Sequence, residues 1–137
     1  MNDTAPVAKG WSAVLWIAQL ILAAAYGMFG SMKATQPLDQ LAQMMTWIPD
    51  FPPMFVHTLG VVEVLGAVGL ILPALTRIQP RLTVIAALCI LVHQFIAVAL
   101  HLSKGEAGVL GLNVVLIALA AFIFWGRRKK AVIAPRG

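Results

Sequence analysis

The chain has 137 residues and a formal charge of +5, with 61% hydrophobic and only 11% charged residues, a balance that excludes an ordinary soluble globule. The basic excess lies in Arg127, Arg128, Lys129 and Lys130 and in one short loop, beside apolar segments, so it reads as a topology signal and no nucleic acid is expected as a partner. A single cysteine, Cys89, excludes an intramolecular disulfide, a CxxC redox pair and a cysteine metal cluster.

A helix crossing the hydrocarbon needs about 20 mostly apolar residues. Four segments qualify: Trp11–Met32, Met54–Leu72, Leu82–Leu102 and Val109–Trp125. The expected fold is therefore all-α, an integral membrane four-helix bundle forming a single membrane domain over residues 1–137. Helix-breaking signals punctuate it: Pro52-Pro53 before the second span, Pro73 after it, Pro80 before the third and Lys104-Gly105-Glu106 before the fourth.

In the first span, Lys9 precedes an apolar run, and Ala23-Ala24-Ala25 resembles a signal-peptide cleavage site. The run continues through Tyr26-Gly27-Met28-Phe29, which fits an uncleaved signal anchor better. Gln19, Ala23, Tyr26, Gly30 and Lys33 fall within about 40° of one direction at roughly 100° per residue, a polar stripe turned toward neighbours. After it, Pro37 is followed by Leu38, Leu41, Met45 and Ile48 at helical spacing, which predicts an amphipathic helix over 37–48. That helix either connects spans along the bilayer surface or lids an outward-facing pocket.

The second span carries Glu63 about nine residues, or roughly 13 Å, below its outer end, among the small residues Gly60, Gly66 and Ala67. On the third, Gln94, Val98 and His101 form a stripe, with His93 offset by about 100°. The fourth adds Asn113 near its outer end.

Eight basic residues (Lys9, Arg77, Arg81, Arg127, Arg128, Lys129, Lys130, Arg136) share one side of such a bundle, against Lys33 and Lys104 on the other. Because Lys and Arg are retained in the cytoplasm, both termini are expected there, in a bacterial-type inner membrane, with Trp11, Trp16 and Trp125 near the inner interface. Tyr26, Lys33, Glu63, Gln94, His101 and Asn113 then occupy the outer half or the middle as candidate ligand-binding residues. Ionisable groups are costly in lipid and face the bundle interior with partners. Glu63 is open to two roles: a pair with Lys33, His101 or His93 that holds the bundle together, or part of a ligand or proton site.

Several segments together resemble the DoxX-like family of four-helix membrane proteins. They are Phe29-Gly30 followed by Lys33; Met44-Met45-Thr46-Trp47 leading to Asp50-Phe51-Pro52-Pro53; Gly60-Val61-Val62-Glu63-Val64-Leu65-Gly66 continuing to Leu70-Ile71-Leu72-Pro73; and His101 before Lys104-Gly105-Glu106. The resemblance runs from about Trp16 to Gly126. It implies a four-helix integral membrane fold, and relatives include the membrane subunit of an archaeal thiosulfate:quinone oxidoreductase and proteins linked to oxidative-stress defence. It carries over Lys33, Glu63 and His101 as the polar positions that match the motifs.

The leading functional expectation is a membrane subunit or module that binds a quinone-like or other amphiphilic molecule. Lys33, Glu63 and His101 would meet the head group, and Tyr26, Gln94 and Asn113 would support them. The chain offers no electron carrier of its own, so turnover would need a soluble or membrane redox partner. One alternative is a small multidrug-type proton-coupled transporter, although its glutamate would lie in the second helix and not the first. Another is a non-catalytic assembly or stress protein. A haem between His57 and His101 is a weaker idea, because interior histidines are often merely structural, and glycine-lined faces suit self-association.

Overall fold

Hydrocarbon offers backbone N–H and C=O groups no partner, so each apolar segment must close its hydrogen bonds within itself. In the computed structural model, which describes residues 5–136, four segments do so as long helices. They are α1 (Ala5–Thr35), α3 (Pro53–Thr76), α4 (Arg81–Ser103) and α5 (Leu110–Lys129), with a short α2 (Leu38–Met44) between the first two. All four long helices are apolar enough to cross a membrane, with mean hydropathy of 1.8 to 2.5 over their best stretches. The sequence-predicted spans all reappear, longer by a turn or more at several ends.

The distribution of side chains is that of a protein dissolved in lipid. Leu65 and Ile96 are 62% and 63% exposed on the outside of the bundle, while Gln19 and Glu63 are 0% and 4% exposed inside it. Because lipid tails are as apolar as leucine, such a bundle is held by close packing and interior polar contacts. α1 packs most extensively on α3, α3 on α4, α4 on α5, and α5 returns to α1, closing a ring. Its core runs through Leu22, Tyr26, Leu70, Ile90, Leu116 and Ile123.

Two expectations about punctuation need correction. Pro73 does not end α3, which continues to Thr76 and closes on Arg77 in the left-handed conformation, at φ 59°. Proline has no N–H for the carbonyl four residues back, which here is Gly69. The hydroxyl of Thr83 on α4 donates to that carbonyl at 3.2 Å, and Gln19 Nε2 on α1 donates to the next carbonyl, Leu70, at 2.7 Å. Side chains of neighbouring helices thus replace the lost bond, as they do in membrane helices broken by proline. This also gives partners to Thr83 and to the Gln19 amide nitrogen, two polar groups buried in that half of the bundle.

The helix expected over 37–48 stops at Met44. Met45 is extended, and a 3-10 turn follows over Ile48–Asp50. Pro49 has no N–H for the Met45 carbonyl four residues back, so an α-helix cannot run on through it, while a proline fits the first turn of a 3-10 helix. The apolar face still forms as expected: Leu41 and Ile48 are buried with Val56, and Leu38 and Met45 pack against them.

Candidate functional site

The site begins where α1 and α3 touch. Gly30 and Gly60 face each other so closely that a Cβ on Gly60 would stand 2.5 Å from the Ala34 nitrogen and 2.6 Å from the Gly30 carbonyl oxygen. Only glycine permits this approach. It brings Lys33, one turn beyond Gly30, opposite Glu63, one turn beyond Gly60. Lys33 Nζ donates to both carboxylate oxygens, at 2.9 and 2.8 Å, with both side chains buried.

A chain of hydrogen bonds across α5, α4 and α1 ends beside this pair. Asn113 Nδ2 on α5 donates to Gln94 Oε1 on α4 at 2.8 Å, and Gln94 Nε2 donates to the Tyr26 hydroxyl on α1 at 2.7 Å. One consistent assignment has Tyr26 donate its own proton to His93 Nδ1, 2.6 Å away. That assignment leaves the His93 proton on Nε2, which lies 3.8 Å from Glu63 Oε2, too long for a hydrogen bond but close enough for attraction. The hydrogen-bonded chain from Asn113 to His93 thus joins α5, α4 and α1 and ends 3.8 Å short of the Lys33–Glu63 pair, which joins α1 to α3.

These groups line one cavity of about 580 Å³. Its walls include all six residues named from the sequence: Tyr26, Lys33, Glu63, Gln94, His101 and Asn113. Aromatic and apolar side chains supply most of the remaining surface, with Phe29, Trp47, Phe51 and Phe55 among them. The Lys33 ammonium lies 5.7 Å from the centre of the Trp47 ring, within range of a cation–π attraction. Met44, Phe55, Ile96 and Leu112 are lining residues that are also exposed, so the rim of the cavity is apolar.

The sequence left three partners open for Glu63, and Lys33 takes it. His101 instead faces Glu106, with Nδ1 3.3 Å from Oε1. His57 is held on the Lys33 carbonyl at 2.8 Å and is not part of the cavity lining, so His57 and His101 do not face a common space. The residue that helical spacing undervalued is His93. Its offset from the Gln94 stripe put it outside the candidate set, yet the Tyr26 hydroxyl sits between the two and bonds both.

The end of α2 and the segment after it cover the loop end of the cavity, where Met44, Met45, Thr46, Trp47 and Phe51 line it. Two polar ties fix this segment to the turn between α4 and α5. Lys104 Nζ donates to Asp50 at 2.6 Å, and the Thr46 hydroxyl donates to Glu106 at 2.5 Å. The bond to Asp50 raises the Lys104 pKa, and the Thr46 hydroxyl, with His101 behind it, lowers that of Glu106.

A depressed carboxylate pKa stabilises the fold above the ordinary carboxylate value, and the stabilisation is lost as pH falls through the depressed one. A raised lysine pKa acts the other way: its contribution is complete below the ordinary lysine value and is lost as pH rises through the raised one. Both ties therefore hold across the neutral range. Amide exchange over residues 44–51, corrected for intrinsic rates, is expected to accelerate below about pH 4. Glu106→Gln should show part of the faster exchange already at neutral pH and a smaller acid transition, the remainder belonging to the Asp50–Lys104 tie; an unchanged pH profile in the variant would rule out Glu106 as a tie.

Comparison with known proteins adds one finding. A family model described as the DoxX-like family matches residues 17–123, most of the chain. No curated protein and no solved structure matches it.

Proposed function

The chain belongs to the DoxX-like family, and on that premise we propose that it is a membrane subunit or module that binds a quinone-like or other amphiphilic small molecule. The observation that carries this reading is the convergence of the six polar residues from α1, α3, α4 and α5 on one aromatic-walled cavity with an apolar rim. A planar carbonyl head group would lie among Phe29, Trp47 and Phe51, and an apolar tail would leave across the rim into lipid. Lys33 spends two of its three N–H groups on Glu63 and keeps one for a head-group oxygen. Tyr26 and His93 can pass a proton between such an oxygen and Glu63.

The eight-to-two distribution of basic residues supports placing the termini on the cytoplasmic side of a plasma membrane and the cavity toward the opposite face. Electron transfer to or from the bound molecule would fall to a separate redox partner, and a role in redox or oxidative-stress chemistry follows from that. The closed Lys33–Glu63 pair favours a second reading, in which the polar chain serves assembly alone.

Titrating the purified protein with a short-tailed ubiquinone analogue separates the two. Tyr26→Phe keeps the ring and removes the hydroxyl that Gln94 and His93 share, so binding is expected to weaken about tenfold, with a stability loss of about 1–3 kcal/mol from the two groups left unpaired. Equal affinity in wild type and Tyr26→Phe, or no binding by either, would leave the assembly reading in place.

A further inference from the structure

Arg127 stands in the last turn of α5, at the head of the run Arg127-Arg128-Lys129-Lys130. A residue of such a run is expected in water, yet Arg127 is 2% exposed. Its guanidinium folds back into the bundle. Nε donates to Gln19 Oε1 at 2.7 Å, and Nη1 donates to Ser12 Oγ and to the Ala131 carbonyl, both at 3.1 Å. The Trp16 ring centre lies 5.6 Å from Cζ.

Every acceptor in this set is neutral, and Nη2 is buried without a hydrogen-bond partner among the described residues. A buried guanidinium without a counter-charge and with an unused donor is among the costliest arrangements a fold can keep. The chain has five acidic residues. Glu63 is committed to Lys33, Asp50 to Lys104 and Glu106 to Thr46 and His101, all toward the other end of the bundle. Asp39 is exposed on α2, also at that end, and Asp3 lies outside the described residues. Among the described residues, no carboxylate answers Arg127.

Beside it is a recess of about 270 Å³ whose lining includes Lys9, Ser12, Arg127, Ala131, Val132 and Ile133. Its two ionisable groups are both cations. The recess lies where membrane headgroups are expected, because Trp11 and Trp125 pack edge to face nearby and the Lys130 ammonium sits 5.9 and 5.6 Å from their ring centres. Nη2 keeps two charged N–H donors that a phosphate oxygen can accept, and phosphates are the anions concentrated at that depth.

We propose that this recess is a phosphate-binding site for the headgroup of an anionic phospholipid. Arg127 is the buried anchor, Lys9 the second cation, and Ser12 a hydroxyl donor. Val132 and Ile133 lie in coil between two backbone ties, Ala131 N–H to the Gly126 carbonyl and Arg136 N–H to the Arg77 carbonyl, both at 2.9 Å, so a rearrangement confined to this stretch would let the phosphate reach Nη2.

The test is native mass spectrometry of the full chain in mild detergent. The probes are dioleoyl phosphatidylglycerol, dioleoylglycerol, which has the same tails and no phosphate, and inorganic phosphate. Phosphatidylglycerol is expected to bind about tenfold more tightly than dioleoylglycerol. Arg127→Gln should abolish that preference, and Lys9→Gln should weaken it severalfold. Arg128→Gln should leave it intact, since that side chain lies over Phe124. If Arg127→Gln does not fold, Lys9→Gln against Arg128→Gln carries the comparison.

Arg127-dependent binding of inorganic phosphate as tight as that of the lipid would keep the phosphate site and assign it to a free anion. Equal lipid preference in wild type, Lys9→Gln and Arg128→Gln would overturn the proposal. So would phosphate binding that emerges only in Asp3→Asn, because the chain's own carboxylate would then be the occupant.

Discussion

Replacing Lys33 by Met, or Glu63 by Gln, is expected to destabilise the bundle by about 3–5 kcal/mol, and combining the two should restore most of that loss. The pair is buried and doubly hydrogen-bonded, and it ties α1 to α3 where their backbones touch. Removing either partner leaves the other desolvated and unanswered. Removing both leaves two neutral side chains of similar size, which a membrane interior tolerates far better than one stranded charge. Reversible unfolding of the single and double variants in detergent gives the coupling energy directly. Additive losses would mean that the two residues act separately, and neither could then be the fastening of the cavity.

The same pair marks how far the sequence can be read. The spans were legible because each is a long apolar run, and the stripe of Gln19, Tyr26, Gly30 and Lys33 was legible because helical geometry repeats without exception along a regular helix. Glu63 announced itself as a carboxyl in an apolar segment. Its partner did not, since the choice among Lys33, His93 and His101 depends on how closely two helices approach. That approach is set by two glycines thirty positions apart in sequence, on different helices.

Pro73 shows the converse failure. Proline is a sound stop signal for an isolated helix, but here Thr83 and Gln19 accept the disruption from outside it, and no local rule contains that information. Arg127 was concealed by its own neighbours. Within four consecutive cations nothing local distinguishes the one that turns inward, and only the distant Gln19 and Ser12 select it. What remained hidden in each case was a contact between helices, while what could be read was periodicity within one.

The glycine contact itself should be the most sensitive point of the fold. A methyl group on Gly60 would meet the Ala34 nitrogen at 2.5 Å, the Gly30 oxygen at 2.6 Å and the Lys33 carbonyl carbon at 2.8 Å. All three are backbone atoms, so no rotamer change can make room and α1 must shift bodily. At Gly126 the nearest atoms are instead the ends of the Leu15 side chain, from 2.5 Å, which can turn away. Gly111 has nothing within 4 Å.

Gly60→Ala is therefore expected to cost about 2–4 kcal/mol, Gly126→Ala about 1 kcal/mol, and Gly111→Ala nothing or a slight gain from helix propensity. Unfolding in detergent ranks the three. If Gly60→Ala proved as mild as Gly111→Ala, the close approach of α1 and α3 would be wrong. A shift of α1 also draws Lys33 away from Glu63 and from the ring of His57, which holds the Lys33 carbonyl at 2.8 Å. Gly60→Ala should consequently weaken binding of the quinone analogue together with stability, whereas Phe29→Leu, at a lining side chain with no hydrogen bond to lose, should affect binding far more than stability. That contrast separates a residue that shapes the cavity from one that faces its contents.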